Sequence, residues 1–235
     1  MPRASKKPAD LSESIRHQLN MYALAASAAG VGTLALSQPA EGRIVYTPAH
    51  RHIVLNHPVS LDLNHDGVAD FTISIGQSTY YKVSNMWLWA RSAARGDQVA
   101  GFISSASGAQ IAYALFYREQ INSGLSFSGG FMAARSRQKG HRSGACFGYW
   151  NNATKRYLGL RFPIKGQTHY GWARLNESCD RKGKVGITAL LTGYAYETVP
   201  NKAIAAGKTE GPNVVTIQSA GLDRLAQGST GRWKR

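Results

Sequence analysis

From residue 157 onward, apolar positions alternate with others: Leu158, Leu160, Phe162 and Ile164 form one set, with Tyr157, Gly159, Arg161 and Pro163 between them. A period of two predicts a strand with one buried face. Lys165-Gly166 predicts a tight turn in which Gly166 supplies a positive φ, and residues 167–175 return as the second strand of a hairpin. Val185, Ile187, Ala189 and Leu191 begin a third strand, closed by Gly193, Tyr194 and Tyr196.

Upstream, the same period appears in shorter pieces at residues 44–46, 53–55, 59–63, 71–75, 80–83 and 86–90, punctuated by Gly, Pro, Asn and Ser. Such spacing predicts an all-β fold, a single-domain antiparallel β-sandwich of jelly-roll-like style. Between residues 98 and 134 the pattern weakens. IAYALFYREQI reads equally as a short helix or a loop, LSFSGGFMA as a strand, and residues 104–122 as an insertion. RSRQKGHR (135–142) reads as a basic polar loop, and CFGYW (146–150) resumes strand character.

The two ends depart from this pattern. Arg3, Lys6, Lys7 and Arg16 precede a charge-free run at residues 21–36, followed by SQPAEG, and Ala40-Glu41-Gly42 has the small-x-small spacing of a signal-peptidase site. The prediction is a signal segment over 1–42, a sandwich over 43–207 and a loose, polar, basic tail over 208–235. The sixteen-residue apolar run is too short and too rich in Ala and Gly for a transmembrane anchor, and no run of membrane length precedes the basic end.

Charge changes the picture of partners rather than of fold. The chain carries 28 Lys and Arg against 13 Asp and Glu, a formal net charge of +15, and 25 glycines in keeping with many turns. Without residues 1–42 the balance is still 24 against 10. A surface this basic invites anionic polysaccharide or another acidic cell-surface component. Export argues against nucleic acid, and no aromatic residue interleaves RSRQKGHR as a nucleic-acid track would require.

One stretch carries chemistry. Asp62, Asn64 and Asp66, followed by Gly67, fit the D-x-[DN]-x-[DN]-G pattern that sets side-chain oxygens around a hard cation. Val68 offers its carbonyl and Asp70 completes the set. Clustered carboxylates repel one another unless a cation sits among them, so Ca²⁺ is the expected cofactor. The alternative is an Asx-rich turn satisfied by its own backbone. Ile73 stands where a helix-loop-helix hand has its acid, and His65 where such loops commonly have Gly, so the loop is expected between strands.

Other residues decide less. Cys146 and Cys179 are the only cysteines, an even count that predicts a disulfide in an oxidising compartment. His50, His52 and His57 match no closed zinc spacing, and His169 reads as a structural imidazole. No G-x-S-x-G elbow or comparable nucleophile context supports a hydrolase. The aromatics Tyr80, Tyr81, Trp87, Trp89, Trp150, Tyr170, Trp172, Tyr194 and Tyr196 are either packing residues or, if several share an exposed plane, the face of a carbohydrate-binding module.

The stretches IVYTPAH (44–50), LDLNHDGVADF (61–71), YLGLRF (157–162), GQTHYGWARL (166–175) and LTGYAYETVPNKAIAAG (191–207) resemble a group of exported bacterial proteins related in style to PEP-CTERM surface proteins. The resemblance implies a signal peptide, a β-rich extracellular domain and no established enzymatic activity. Together these readings predict an exported or cell-surface, non-enzymatic β-sandwich with a structural calcium loop. A carbohydrate-binding module is the first alternative and a secreted hydrolase the second.

Overall fold

The computed structural model describes residues 42–182 and 185–217, and the expected signal segment lies outside them apart from Gly42. The described chain is all-β. Its strands are β1 (Ile44–Ile53), β2 (Val59–Leu61), β3 (Phe71–Tyr80), β4 (Val83–Ser92), β5 (Gln98–Val99), β6 (Gly101–Ile103), β7 (Gln110–Ala112) and β8 (Gln120–Ile121). After these come β9 (Phe131–Gln138), β10 (Ala145–Phe147), β11 (Arg156–Ile164), β12 (Gln167–Cys179), β13 (Ile187–Glu197), β14 (Ile204–Ala205) and β15 (Val214–Thr216).

Two sheets make the sandwich. The first runs β15-β1-β13-β12-β11-β5, and the second runs β2-β3-β4-β9-β7-β6 with β10 beside β9. Consecutive strands β11-β12-β13 and β2-β3-β4 are antiparallel meanders, whereas β15 joins β1 and β7 joins β9 in parallel. Hairpin register explains the central alternation: Leu158 faces Ala173, Leu160 faces Gly171 and Phe162 faces His169. That face packs on Ile73, Ile75 and Leu88 of the second sheet, with Phe162 edge-on to Phe71 at 6.5 Å. Lys165 and Gly166 make the turn with φ of 50° and 78°.

The other face of the first sheet is buried as well. Tyr157, Tyr170, Trp172 and Ala195 form a second core with Ala100, Leu115, Ile121, Phe127 and Ile204, so the segment from Leu115 to Phe127 and the β8–β14 ribbon lie over the sheet as a third layer. Gly159 permits that approach. A Cβ there would stand 2.8 Å from Ala100 Cβ and 3.1 Å from Leu115 Cδ1.

Several local expectations change. Residues 110–121 hold two short strands and no helix, because Ala112 is drawn into the core between the sheets while Leu115 and Ile121 pack on the outer face of the first, so no helical face of their own forms. Arg135 to Gln138 belong to β9, leaving only the end of the basic stretch as loop. Tyr81 and Lys82, expected within a strand, form the two-residue turn between β3 and β4. Val185 is exposed and precedes β13 rather than starting it. Within the expected tail, residues 214–216 pair with Ile44, Val45 and Tyr46, while the basic residues from Arg224 onward lie outside the described chain.

Candidate functional site

The loop carrying Asp62, Asn64, Asp66, Val68 and Asp70 joins β2 to β3, between strands as expected. Its side chains fold it. Asp62 accepts from the N–H groups of Asp66 (3.2 Å) and Gly67 (2.9 Å), Asn64 Oδ1 accepts from Asp66 N–H (3.2 Å), and Asp66 Oδ1 accepts from Val68 N–H (2.8 Å). Asn64 Nδ2 donates to Asp66 Oδ2 at 2.9 Å. One amide therefore gathers oxygens from Asp62 and Asn64, while His65 and Gly67 turn the chain with φ of 60° and 88°. His65 occupies a position glycine would fill without strain. Its ring is held across the sandwich by Thr47 Oγ1 at 2.8 Å and by Tyr194 at 6.0 Å between centroids.

Asp70 closes the loop. Its carboxylate accepts from Leu63 N–H at 2.7 Å, and its backbone joins Leu61 and Ala93. Burial pushes this carboxyl up to about 6, against the Leu63 hydrogen bond, with smaller upward contributions from Asp97, Asp62 and Asp66. Among the described residues no three His, Cys, Asp or Glu side chains form a ready metal-ligand group. The loop's other oxygens come from Asn64 and from carbonyls such as that of Val68.

Cys146 and Cys179 are joined, tying β10 of the second sheet to the end of β12 in the first. Next to this bridge, Glu177 is buried, with Oε2 accepting from Asn152 N–H at 2.5 Å and Oε1 lacking a hydrogen-bond partner. Burial pushes it up to about 7, against the Asn152 and Ala153 amides. A cleft of about 390 Å³ is lined by His52, Glu177 and Ser178 among others. No hydrogen bond links His52 to Glu177 or Ser178, so these three make no nucleophile–base pair.

The aromatic set divides. Trp150, Tyr170 and Trp172 are core residues, and Trp87, Trp89, Tyr194 and Tyr196 are half-buried. Tyr80 and Tyr81 are 83% and 86% exposed at the β3–β4 turn. The fold sets this turn beside the basic stretch, with Lys139 N–H donating to the Lys82 carbonyl at 2.6 Å. Tyr81, Lys82, Ser84, Arg137 and Lys139 line one depression of about 320 Å³. Lys82 Nζ stands 5.6 Å from the Tyr81 ring centroid. In the sequence the tyrosines and RSRQKGHR are separate features, because 55 residues part Tyr80 from Arg135 and only the β4–β9 pairing brings them together.

Among the described residues no helix is long and apolar enough to cross a membrane. No protein-family model, no curated protein and no solved structure matches this chain.

Proposed function

We propose that the chain is an exported or cell-surface β-sandwich that binds acidic polysaccharide without turning it over, and that its β2–β3 loop takes a structural Ca²⁺. The observation that carries the binding reading is the β3–β4 turn. Tyr81 holds a φ of 56° although its side chain packs into no core. A left-handed tyrosine costs about 1 kcal/mol or more relative to glycine, and fold stability gains nothing from its exposure. Rings at such a tip offer flat faces to sugars, while Lys82 and Lys139 supply charge for carboxylate or sulfate groups.

The test is retention of residues 43–235 on immobilised polygalacturonate and on neutral dextran. Retention on the acidic polymer alone is expected, falling as salt screens the contact. A triple variant with Tyr81→Ala, Lys82→Ala and Lys139→Ala should elute at distinctly lower salt than the wild type. Equal retention on dextran, or an unchanged triple variant, refutes the reading. N-terminal sequencing of secreted protein should begin at or near Arg43; recovery of protein with intact Met1 from soluble cytoplasm would contradict the export assignment.

Support for Ca²⁺ comes from Asp70, whose carboxyl is raised first by burial and then by three neighbouring acids in an otherwise basic protein. A cation among Asp62, Asn64, Asp66 and the Val68 carbonyl offsets that repulsion. Calcium at a hundredfold excess over Kd should stabilise the fold by about 2.7 kcal/mol. Asp62→Ala should abolish the gain, and Glu210→Ala should not. If millimolar calcium and chelator give superimposable melting curves, the loop is an Asx turn alone.

A further inference from the structure

A second surface of different character lies on the third layer. Tyr113, Phe116 and Glu119, from the stretch between β7 and β8, meet Tyr149 and Arg156 around a groove of about 380 Å³. That size is at the low end of small-ligand sites, about 300–1,000 Å³. Phe116 and Tyr149 are 58% and 62% exposed. The walls are supported from behind: Phe102 stacks on Tyr113 at 5.6 Å and meets Tyr149 at 6.1 Å. Two separate chain segments thus present rings to one space, and a third adds Arg156.

Its polar groups are unusual for an apolar surface. The Arg156 guanidinium lies over the Phe116 ring, 3.3 Å from the centroid, and its Nη1 is buried with no hydrogen-bond partner. Glu119 lines the same groove and forms no ion pair among the described residues. A guanidinium that lines a groove and has no acidic partner among the described residues favours an anion as its ligand. An alkyl chain would cover the rings but leave Arg156 and Glu119 unsatisfied. A neutral sugar would stack but offer Arg156 only a hydroxyl.

We propose that this groove is a subsite for a uronic-acid residue. The C–H face of the pyranose stacks on Tyr149 or Tyr113, its carboxylate pairs with the Arg156 guanidinium that lines the groove, and its hydroxyls donate to Glu119. The inference goes beyond polymer binding at the β3–β4 turn, to recognition of one sugar ring by other residues, so each assignment can fail without the other.

The experiment is calorimetric titration of the full chain with trigalacturonate, and with galactotriose as the uncharged analogue. Trigalacturonate should bind, and galactotriose at least about tenfold more weakly, equivalent to about 1.4 kcal/mol. Tyr149→Ala and Arg156→Gln should each weaken trigalacturonate binding about tenfold or more, while the Tyr81/Lys82/Lys139 triple variant binds it unchanged. The melting curve of each variant checks folding, and Tyr149→Ala removes a largely exposed ring, so it remains informative if Arg156→Gln unfolds. No heat with wild type at about 10 mM trigalacturonate, equal binding of both trisaccharides, or wild-type affinity in folded Tyr149→Ala overturns the proposal. Loss of trigalacturonate binding only in the triple variant overturns it too, moving the sugar to the hairpin turn.

Discussion

Replacing Glu177 by Gln should make the protein less sensitive to alkaline conditions. Glu177 is only 4% exposed, and burial moves its carboxyl from 4.5 in the unfolded chain to about 7. Between those values the folded state holds a proton that the unfolded state has lost, so stability falls as pH rises through this window. A displacement of roughly 2.5 units at about 1.36 kcal/mol each amounts to about 3 kcal/mol lost between about pH 4 and pH 8. For a domain of this size that is about 6–12 °C in Tm. The Glu177→Gln variant retains an oxygen for the Asn152 amide but carries no titrating proton. The assay is thermal unfolding by circular dichroism for both proteins at several pH values. The gap between variant and wild type should grow in the variant's favour by that amount from about pH 4 to pH 8, cancelling the contributions of Asp70 and Asp97 common to both. A gap independent of pH would show that Glu177 titrates as an ordinary surface acid, and would remove it as a buried strain on the β12 end.

The bridge between Cys146 and Cys179 closes a 33-residue separation, so Cys146→Ser with Cys179→Ser should cost about 3–4 kcal/mol; alkylation of both native thiols without reductant would refute the bond. Gly159→Ala places a methyl against Ala100 and Leu115 and should cost about 1–3 kcal/mol, read from urea unfolding, whereas a neutral result would mean that the third layer yields freely. Tyr81→Gly should raise stability by about 1 kcal/mol while reducing retention on polygalacturonate; a destabilised variant would show that the exposed ring contributes to the fold.

The central hairpin was legible because Leu158, Leu160 and Phe162 repeat at the strand period and Lys165-Gly166 marks the turn. The third layer was not, although its trace is present: Tyr157, Tyr170 and Trp172 occupy the face that an exposed sheet would give to polar residues. At the β3–β4 turn no Gly or Asn warns that the chain reverses, and tyrosine's strand preference concealed it. The acidic loop was visible as a motif because its residues are contiguous. The anchoring of His65 by Thr47 and Tyr194 depends on pairing with a distant sheet, and Arg156 reaches the aromatic groove from a different segment than Phe116 or Tyr149. Neither arrangement has a local spacing to read.

In the first sheet, Ile44 pairs with Glu197 and Ile53 with Ala189, so a strand made early in synthesis has as its neighbour one made almost last. During elongation β1 has no sheet to join, and closing so long a loop is entropically unrewarded until β13 emerges. The third layer waits longer, because its floor is the β11-β12-β13 meander itself. The β2-β3-β4 meander can pair as it emerges, but the first sheet and the layer above it cannot close until nearly all of the chain has been made, so the last strands to be synthesised set the moment at which the two halves of the sandwich meet.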